Sequence, residues 1–261
     1  MDRSNIEKIA HTAEDRLLLA KLWDKINAGM CRNIAANTSF LSPRELEMCR
    51  YLFGAAPGLT AFGGYGDAER KMLIYLPDYL DETYLTGEDG PLVCLRATYY
   101  EADKLSHRDF LGALMGAGIT RESVGDICVG SGCCDFFVTA EVAPYILQNL
   151  TEAGRTKLQL TTIAPDQLQL PEVKTQQIRD TLASLRLDSV IASGFRIGRS
   201  LAATHIAAGK ASVDGLPCEK PDKAVPEGCK ISVRGLGKIK LQAVNGQTKK
   251  GRISVTIERY I

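Results

Sequence analysis

The sequence predicts an α+β chain of three units: a small N-terminal α/β unit over residues 1–90, a mixed domain over 91–165 and a basic domain over 182–261, with 166–181 as linker. Three observations carry that reading. Apolar residues recur at helical intervals early in the chain, strand-like and helical runs alternate after Pro91, and charge is divided unevenly along the sequence. The 261 residues, 45% apolar and 24% charged, suffice for two or three cores.

Ile6, Ile9, Ala13, Leu17 and Ala20 share one helical face, which predicts a helix running to about Ile26 and ended by Ala28-Gly29. A second helix is predicted at Ser42-Pro43-Arg44-Glu45, where Ser42 caps, Pro43 fits the first turn and Glu45 completes a capping box. The run LTAFGGYGDAERKMLIYLP that follows reads as two short strands around a glycine-rich turn.

From Pro91 the runs LVCLRATYY, SHRDFLGALMGAG, SVGDICV, CCDFFVTA, EVAPYILQNL and RTKLQLTTI give the order β-α-β-β-α-β. That is the ferredoxin-like split βαβ arrangement, an antiparallel sheet with two helices on one face. RNA-recognition modules share it, so the domain is RRM-like in order, although the aromatic strand signature of those modules is not evident. Residues 164–180 hold two Pro with Gln and Lys and no clean period, and read as a linker grading into the last domain.

Residues 181–261 hold 14 Lys and Arg against 6 Asp and Glu, a net +8, whereas the rest holds 18 against 25, a net −7. Such a segment attracts a polyanion, with nucleic acid and anionic lipid the usual candidates; a solvated basic face is the plain alternative. The N-terminus mixes acids and bases where a signal peptide is apolar, and no run approaches the roughly 18 apolar residues of a membrane span. We therefore expect a cytoplasmic protein with no membrane partner. The eight Cys are scattered and lack zinc-site spacing, so they read as reduced, mostly buried thiols, with no metal and no cofactor expected.

The basic domain reads as a helix over about 185–192, a turn at Ser193-Gly194, a helix over 199–208 closed by Gly209, and two strands around Asp214-Gly215, a type I′ hairpin dipeptide. Val190, Ile191, Ile197, Ala202 and Ile206 can share a core, which leaves Arg186, Arg196, Arg199 and Lys210 pointing outward and, in an αα-hairpin, close together. Arg presents a planar fork to phosphate; Ser200 adds a hydroxyl, and the helix start near Gly198 adds N–H groups. Asp188 reads as an internal brace for Arg199 or a helix cap, and His205 as a packed or surface histidine.

R-L-D-x-V-I-A at Arg186–Ala192, I-x-R-S at Ile197–Ser200, G-K at Gly209-Lys210, V-D-G at Val213–Gly215 and E-G-x-x-I-S-V-R-G at Glu227–Gly235 resemble the S4-type αL RNA-binding domain. F-L-S-P-R-E at Phe40–Glu45, F-G-G-Y-x-x-A-E-R-K at Phe62–Lys71, H-R-D-F-L-G-A-L-M at His107–Met115 and T-K-K-G-R at Thr248–Arg252 are similar to the YlmH family. The resemblance implies a noncatalytic factor that binds rRNA and tRNA on stalled large ribosomal subunits during quality control; the family is also linked to cell division. Arg186, Arg199, Ser200 and Lys210 are the expected RNA contacts, with Arg196, Lys238 and Lys240 as auxiliary phosphate contacts. The sequence sets no oligomeric state.

Two rival readings fit the sequence less well. An RNA-modifying enzyme of the pseudouridine-synthase kind normally places its catalytic domain after the S4 domain, and none of the nucleotide-binding or hydrolase motifs sought is found in the first 180 residues. A membrane or division-site scaffold needs an amphipathic basic helix with large apolar residues, and 199–208 is too rich in Ala. Ser106-His107-Arg108-Asp109 reads as a helix cap rather than a catalytic pair, and Gly130-Ser131-Gly132 as a hairpin turn. Gly63-Gly64-Tyr65 with Arg70 and Lys71 fits either a nucleic-acid loop or a tight turn.

Overall fold

The computed structural model describes residues 3–171, 174–248 and 251–261. The chain divides into two compact units, Met1–Pro171 and Glu172–Ile261.

The first unit opens with two helices where one was expected: α1 (Ile6–Ile9) and α2 (Ala13–Arg32). Thr12 separates them through a capping box, its hydroxyl accepting from the Asp15 N–H while the Asp15 carboxylate accepts from its own N–H. The break resets the helical phase. Leu17, assigned to the apolar face, is 75% exposed, and Leu19, Leu22, Trp23 and Ile26 are buried instead. The helix also runs past Gly29 to a left-handed cap at Asn33. After β1 (Ala36–Asn37), α3 (Pro43–Phe53) begins with the predicted Ser42–Glu45 box. β2 (Leu59–Phe62) and β3 (Met72–Tyr75) complete an antiparallel sheet in the order β1-β3-β2, and Trp23 stacks on Phe53 beneath it.

The same unit continues with β4 (Leu92–Thr98), α4 (His107–Gly116), β5 (Val124–Val129), β6 (Cys133–Thr139), α5 (Ala143–Asn149), the short hairpin β7 (Glu152–Ala153) and β8 (Thr156–Lys157), and β9 (Gln159–Ile163). The β5-β6-β4-β9 sheet is antiparallel throughout, with β6 between the parallel strands β4 and β5. Leu95, Ala97, Phe136 and Val138 form one face, packed with Phe110, Leu114 and Ile146 from the helices. Phe137 and Cys94 turn to the other face and share a core with Phe40, Met72, Ile74 and Leu85. That shared core bridges the boundary expected at residue 90. Gly64 approaches so closely that a Cβ there would lie 2.0 Å from the Phe137 ring.

The second unit begins inside the expected linker. β10 (Thr175–Leu182) pairs along its length with β15 (Ile253–Tyr260), burying Ile178 and Leu182 while the residues between them stay largely exposed. The linker reading of 166–181 is corrected accordingly, and its residues 172–173 lie outside the described residues. Then come α6 (Leu187–Phe195), α7 (Arg199–Ala207), β11 (Ala211–Val213), β12 (Leu216–Pro217), β13 (Lys230–Val233) and β14 (Gly237–Gln247). The antiparallel sheet runs β10-β15-β14-β13-β11-β12. Ile231, Val233, Ile239, Leu241, Val255 and Ile257 pack on one side against Leu187, Val190, Ile191, Ala202 and Ile206 of the helices, with Ile197 half-buried at the margin. Asp214 and Gly215 take positive φ, 49° and 84°, as the predicted hairpin turn requires. Lys249 and Lys250 of the T-K-K-G-R motif lie outside the described residues.

Candidate nucleic-acid interface

Arg186 caps α6 and Arg199 opens α7, and Asp188 in the first turn of α6 holds both. Asp188 is 5% exposed. It accepts hydrogen bonds from Arg186 Nε at 3.2 Å and from an Arg199 terminal nitrogen at 2.8 Å. Burial pushes its pKa up, but hydrogen bonds from Arg199 and then Arg186, with their charges, hold it below the ordinary carboxylate value. The carboxylate therefore stays ionised and fixes two guanidinium groups side by side. Their side chains remain 43% and 57% exposed, so the forks keep N–H edges turned to solvent for a phosphate. The brace predicted for Asp188 extends to both arginines.

Arg196 is exposed at the left-handed residue between the helices, with φ 55°. Gly198 caps α7 with extended backbone and contributes no side chain, and Ser200 is exposed in the first turn. These residues share the helical side of the unit with Arg186 and Arg199.

The remaining predicted contacts stand elsewhere. Lys210 lies beyond α7 in a shallow cleft with Ser212, Ser232 and Arg234. Lys238 and Lys240 alternate along β14 with Ile239 and Leu241, which face the helices, so the two lysines point from the opposite side of the sheet. Strand alternation thus sets the auxiliary contacts Lys238 and Lys240 apart from the helical pair. Lys238 Nζ sits 5.8 Å from the Tyr260 ring centroid.

Two cations were not singled out as contacts from sequence. Arg234 joins the Lys210 cleft, and Arg252 lines a cleft with Arg199, Ser189 and Ser193 while donating from Nε to Thr181 Oγ1 at 3.1 Å. Arg252 was visible in the T-K-K-G-R motif; its proximity to Arg199 depends on the pairing of β10 with β15.

The other motifs are structural. Asp109 accepts from the Ser106 N–H and hydroxyl, a helix cap as predicted. Gly130-Ser131-Gly132 turns between β5 and β6. In the glycine-rich turn, Tyr65 donates to Asp126 at 2.8 Å and Arg70 donates to the Val124 and Phe40 carbonyls, so the arginine is used internally. Six of the eight thiols are buried. Burial pushes Cys49 and Cys94 up to about 12 and Cys128 to about 11, leaving them protonated at neutral pH. Among the described residues no helix is long and apolar enough to cross a membrane.

In the first unit, Phe136 and Phe137 are both 0% exposed, one on each face of the sheet. Open-sheet recognition modules stack bases on strand aromatics. Neither ring can serve in that way here.

A curated relative, the "Ribosome-associated protein quality control protein P2" of Bacillus subtilis (strain 168), is 37% identical over 226 residues, covering 85% of this chain and 86% of its own. The chain belongs to the YlmH family. A family model described as "Putative RNA-binding domain in YlmH" matches residues 98–167, which span most of the β4–β9 sheet and both of its helices. Among solved structures, "Cell division protein ylmH from Streptococcus pneumoniae" is 19% identical with a TM-score of 0.49, covering 61% of this chain and 98% of its own.

Proposed function

We propose that this YlmH-family chain is a noncatalytic, cytoplasmic RNA-binding factor that associates with the ribosome and grips rRNA and tRNA on stalled large subunits during quality control. In this reading residues 182–261 act as an S4-type αL domain, and 91–165 form a ferredoxin-like domain whose sheet faces are both occupied. The observation that carries the reading is the Asp188 brace, which presents Arg186 and Arg199 as a preorganised pair beside the exposed Ser200. The family relationship and the name of the Bacillus relative support the ribosomal setting. Recognition is then of RNA shape and backbone, since the deep groove of an A-form helix hides its base edges.

The test is co-sedimentation of the Arg199→Ala protein with large subunits. One lost charge-assisted hydrogen bond is worth about 1.5–3 kcal/mol, so binding should fall roughly ten- to a hundredfold. The thermal midpoint should also drop, because Asp188 keeps Arg186 alone, and binding is therefore compared well below the midpoint of either protein. Undiminished co-sedimentation would overturn the reading. The enzymatic alternative demands instead that the purified protein change a transcript's nucleosides, which mass spectrometry detects.

A further inference from the structure

We propose that the outer face of the C-terminal sheet, turned away from α6 and α7, is a second RNA-binding surface, so that the unit holds two stretches of RNA backbone on opposite sides. The proposal rests on the RNA-binding reading above and extends it to a surface that the helical pair does not reach.

The cross-strand register lays out this face in rows. In one, Lys230 of β13 stands directly opposite Lys240 of β14, which stands opposite Glu258 of β15. Like charges directly opposite each other in a ladder are destabilising. The ladder therefore gains nothing from Lys230 beside Lys240; of the nearby carboxylates, Glu258 faces Lys240, and Asp214 is engaged by the Lys230 backbone N–H and the Cys229 thiol. A bound phosphate relieves that repulsion.

The next row runs Ser212, Ser232, Lys238, with the Tyr260 ring beneath Lys238 and Thr175 opposite Tyr260. It continues into the cleft where Lys210 and Arg234 flank Ser212 and Ser232 with no carboxylate in the lining. Each side chain named in these rows is exposed or half-buried. Cations interleaved with hydroxyls and one aromatic ring match a ribose-phosphate chain, where phosphates meet ammonium and guanidinium groups and a base can stack. An anionic lipid surface would also call for large apolar side chains to enter it. The two rows offer none besides Tyr260.

The experiment titrates the full-length chain with a short structured RNA hairpin by fluorescence anisotropy over a salt series, and counts bound hairpins by analytical ultracentrifugation. The unsubstituted protein should bind two hairpins. The Lys230→Gln/Lys240→Gln protein should bind one, with a salt slope smaller by roughly 1.5 for the two phosphates released. Removing the opposed lysines should leave the thermal midpoint equal or higher, so lost RNA binding would not reflect unfolding. Lys230→Gln alone, which keeps Lys240 opposite Glu258, should show roughly half of that fall in slope in a stable fold. Arg199→Ala should retain one bound hairpin.

An unchanged stoichiometry and slope in both lysine variants, with wild-type binding intact, would overturn the second surface and spare the reading above. Loss of all RNA binding in Arg199→Ala would likewise show a single site. Absence of RNA binding by the unsubstituted chain would instead overturn the reading itself. Binding of phosphatidylglycerol vesicles that both lysine variants lose, with RNA binding unchanged, would assign the face to lipid and overturn the proposal.

Discussion

At Asp188 a single carboxylate determines where two cations stand before any ligand arrives. Asp188→Asn keeps the shape, weakens both arginine contacts and raises the net charge by one. If local charge set RNA affinity, it would rise; if the fixed geometry of Arg186 and Arg199 sets it, affinity falls. We expect a several-fold fall at fixed salt, read by anisotropy, with stability lower by about 1–3 kcal/mol for the hydrogen bonds weakened at a buried site. Asp15 poses the corresponding question for the first unit. Arg44 donates to both of its oxygens, at 2.8 and 2.6 Å, and that bonding, against the opposing effect of burial and with help from the His11 N–H, holds the carboxylate well below its ordinary 3.8. A folded-state pKa below the unfolded one means stabilisation that is complete above about pH 5 and lost as pH falls through the folded value. Urea midpoints between pH 3 and 7 should therefore fall on the acid side, and Asp15→Asn should flatten that decline while lowering the neutral-pH midpoint.

Between α6 and the sheet the decisive contact is an absence of side chain at Gly194. A Cβ there would meet Ile239 at 2.7 Å and Ile257 at 3.2 Å, so Gly194→Ala pushes the helix from β14 and β15. Overpacking of this kind costs about 1–3 kcal/mol, and the thermal midpoint should drop accordingly, although Ala is the better helix former. The same contact shows why some elements were legible and others were not. The Ser42–Glu45 box and the Asp214-Gly215 turn are local chemistry, readable in four residues or fewer. The break at Thr12 was equally local, yet the surrounding apolar spacing outweighed it and put Leu17 on the wrong face. β10 has no local signature of comparable strength: its partner β15 is the last strand of the chain, and its sequence reads as polar coil until the two are paired. The candidate site divides in the same way. Arg186, Asp188 and Arg199 belong to adjoining helices and were read together, whereas the placement of Lys238 and Lys240 on the opposite face follows from strand alternation.

Across the whole molecule, charge and domain structure coincide. Met1–Pro171 carries 16 Lys and Arg against 23 Asp and Glu, and Glu172–Ile261 carries 16 against 8, so the sign change seen in the sequence falls between the two compact units. The stretch matched by the RNA-binding family model, 98–167, itself holds 5 Lys and Arg against 9 Asp and Glu. A net negative surface repels phosphate, and with Phe136 and Phe137 buried on their two faces the sheet offers neither ring for stacking to offset that repulsion. Phosphate contacts supply most of the salt-sensitive affinity for RNA. The fragment Glu172–Ile261, which has its own core around Val190, Ile239 and Ile257, should therefore retain most of the full chain's affinity for a structured hairpin and most of its salt slope. Met1–Pro171 should bind the same hairpin at least tenfold more weakly. Anisotropy titrations of the two fragments beside the intact chain decide the matter: equal affinities would mean that the acidic unit holds RNA through contacts other than net charge and exposed sheet aromatics.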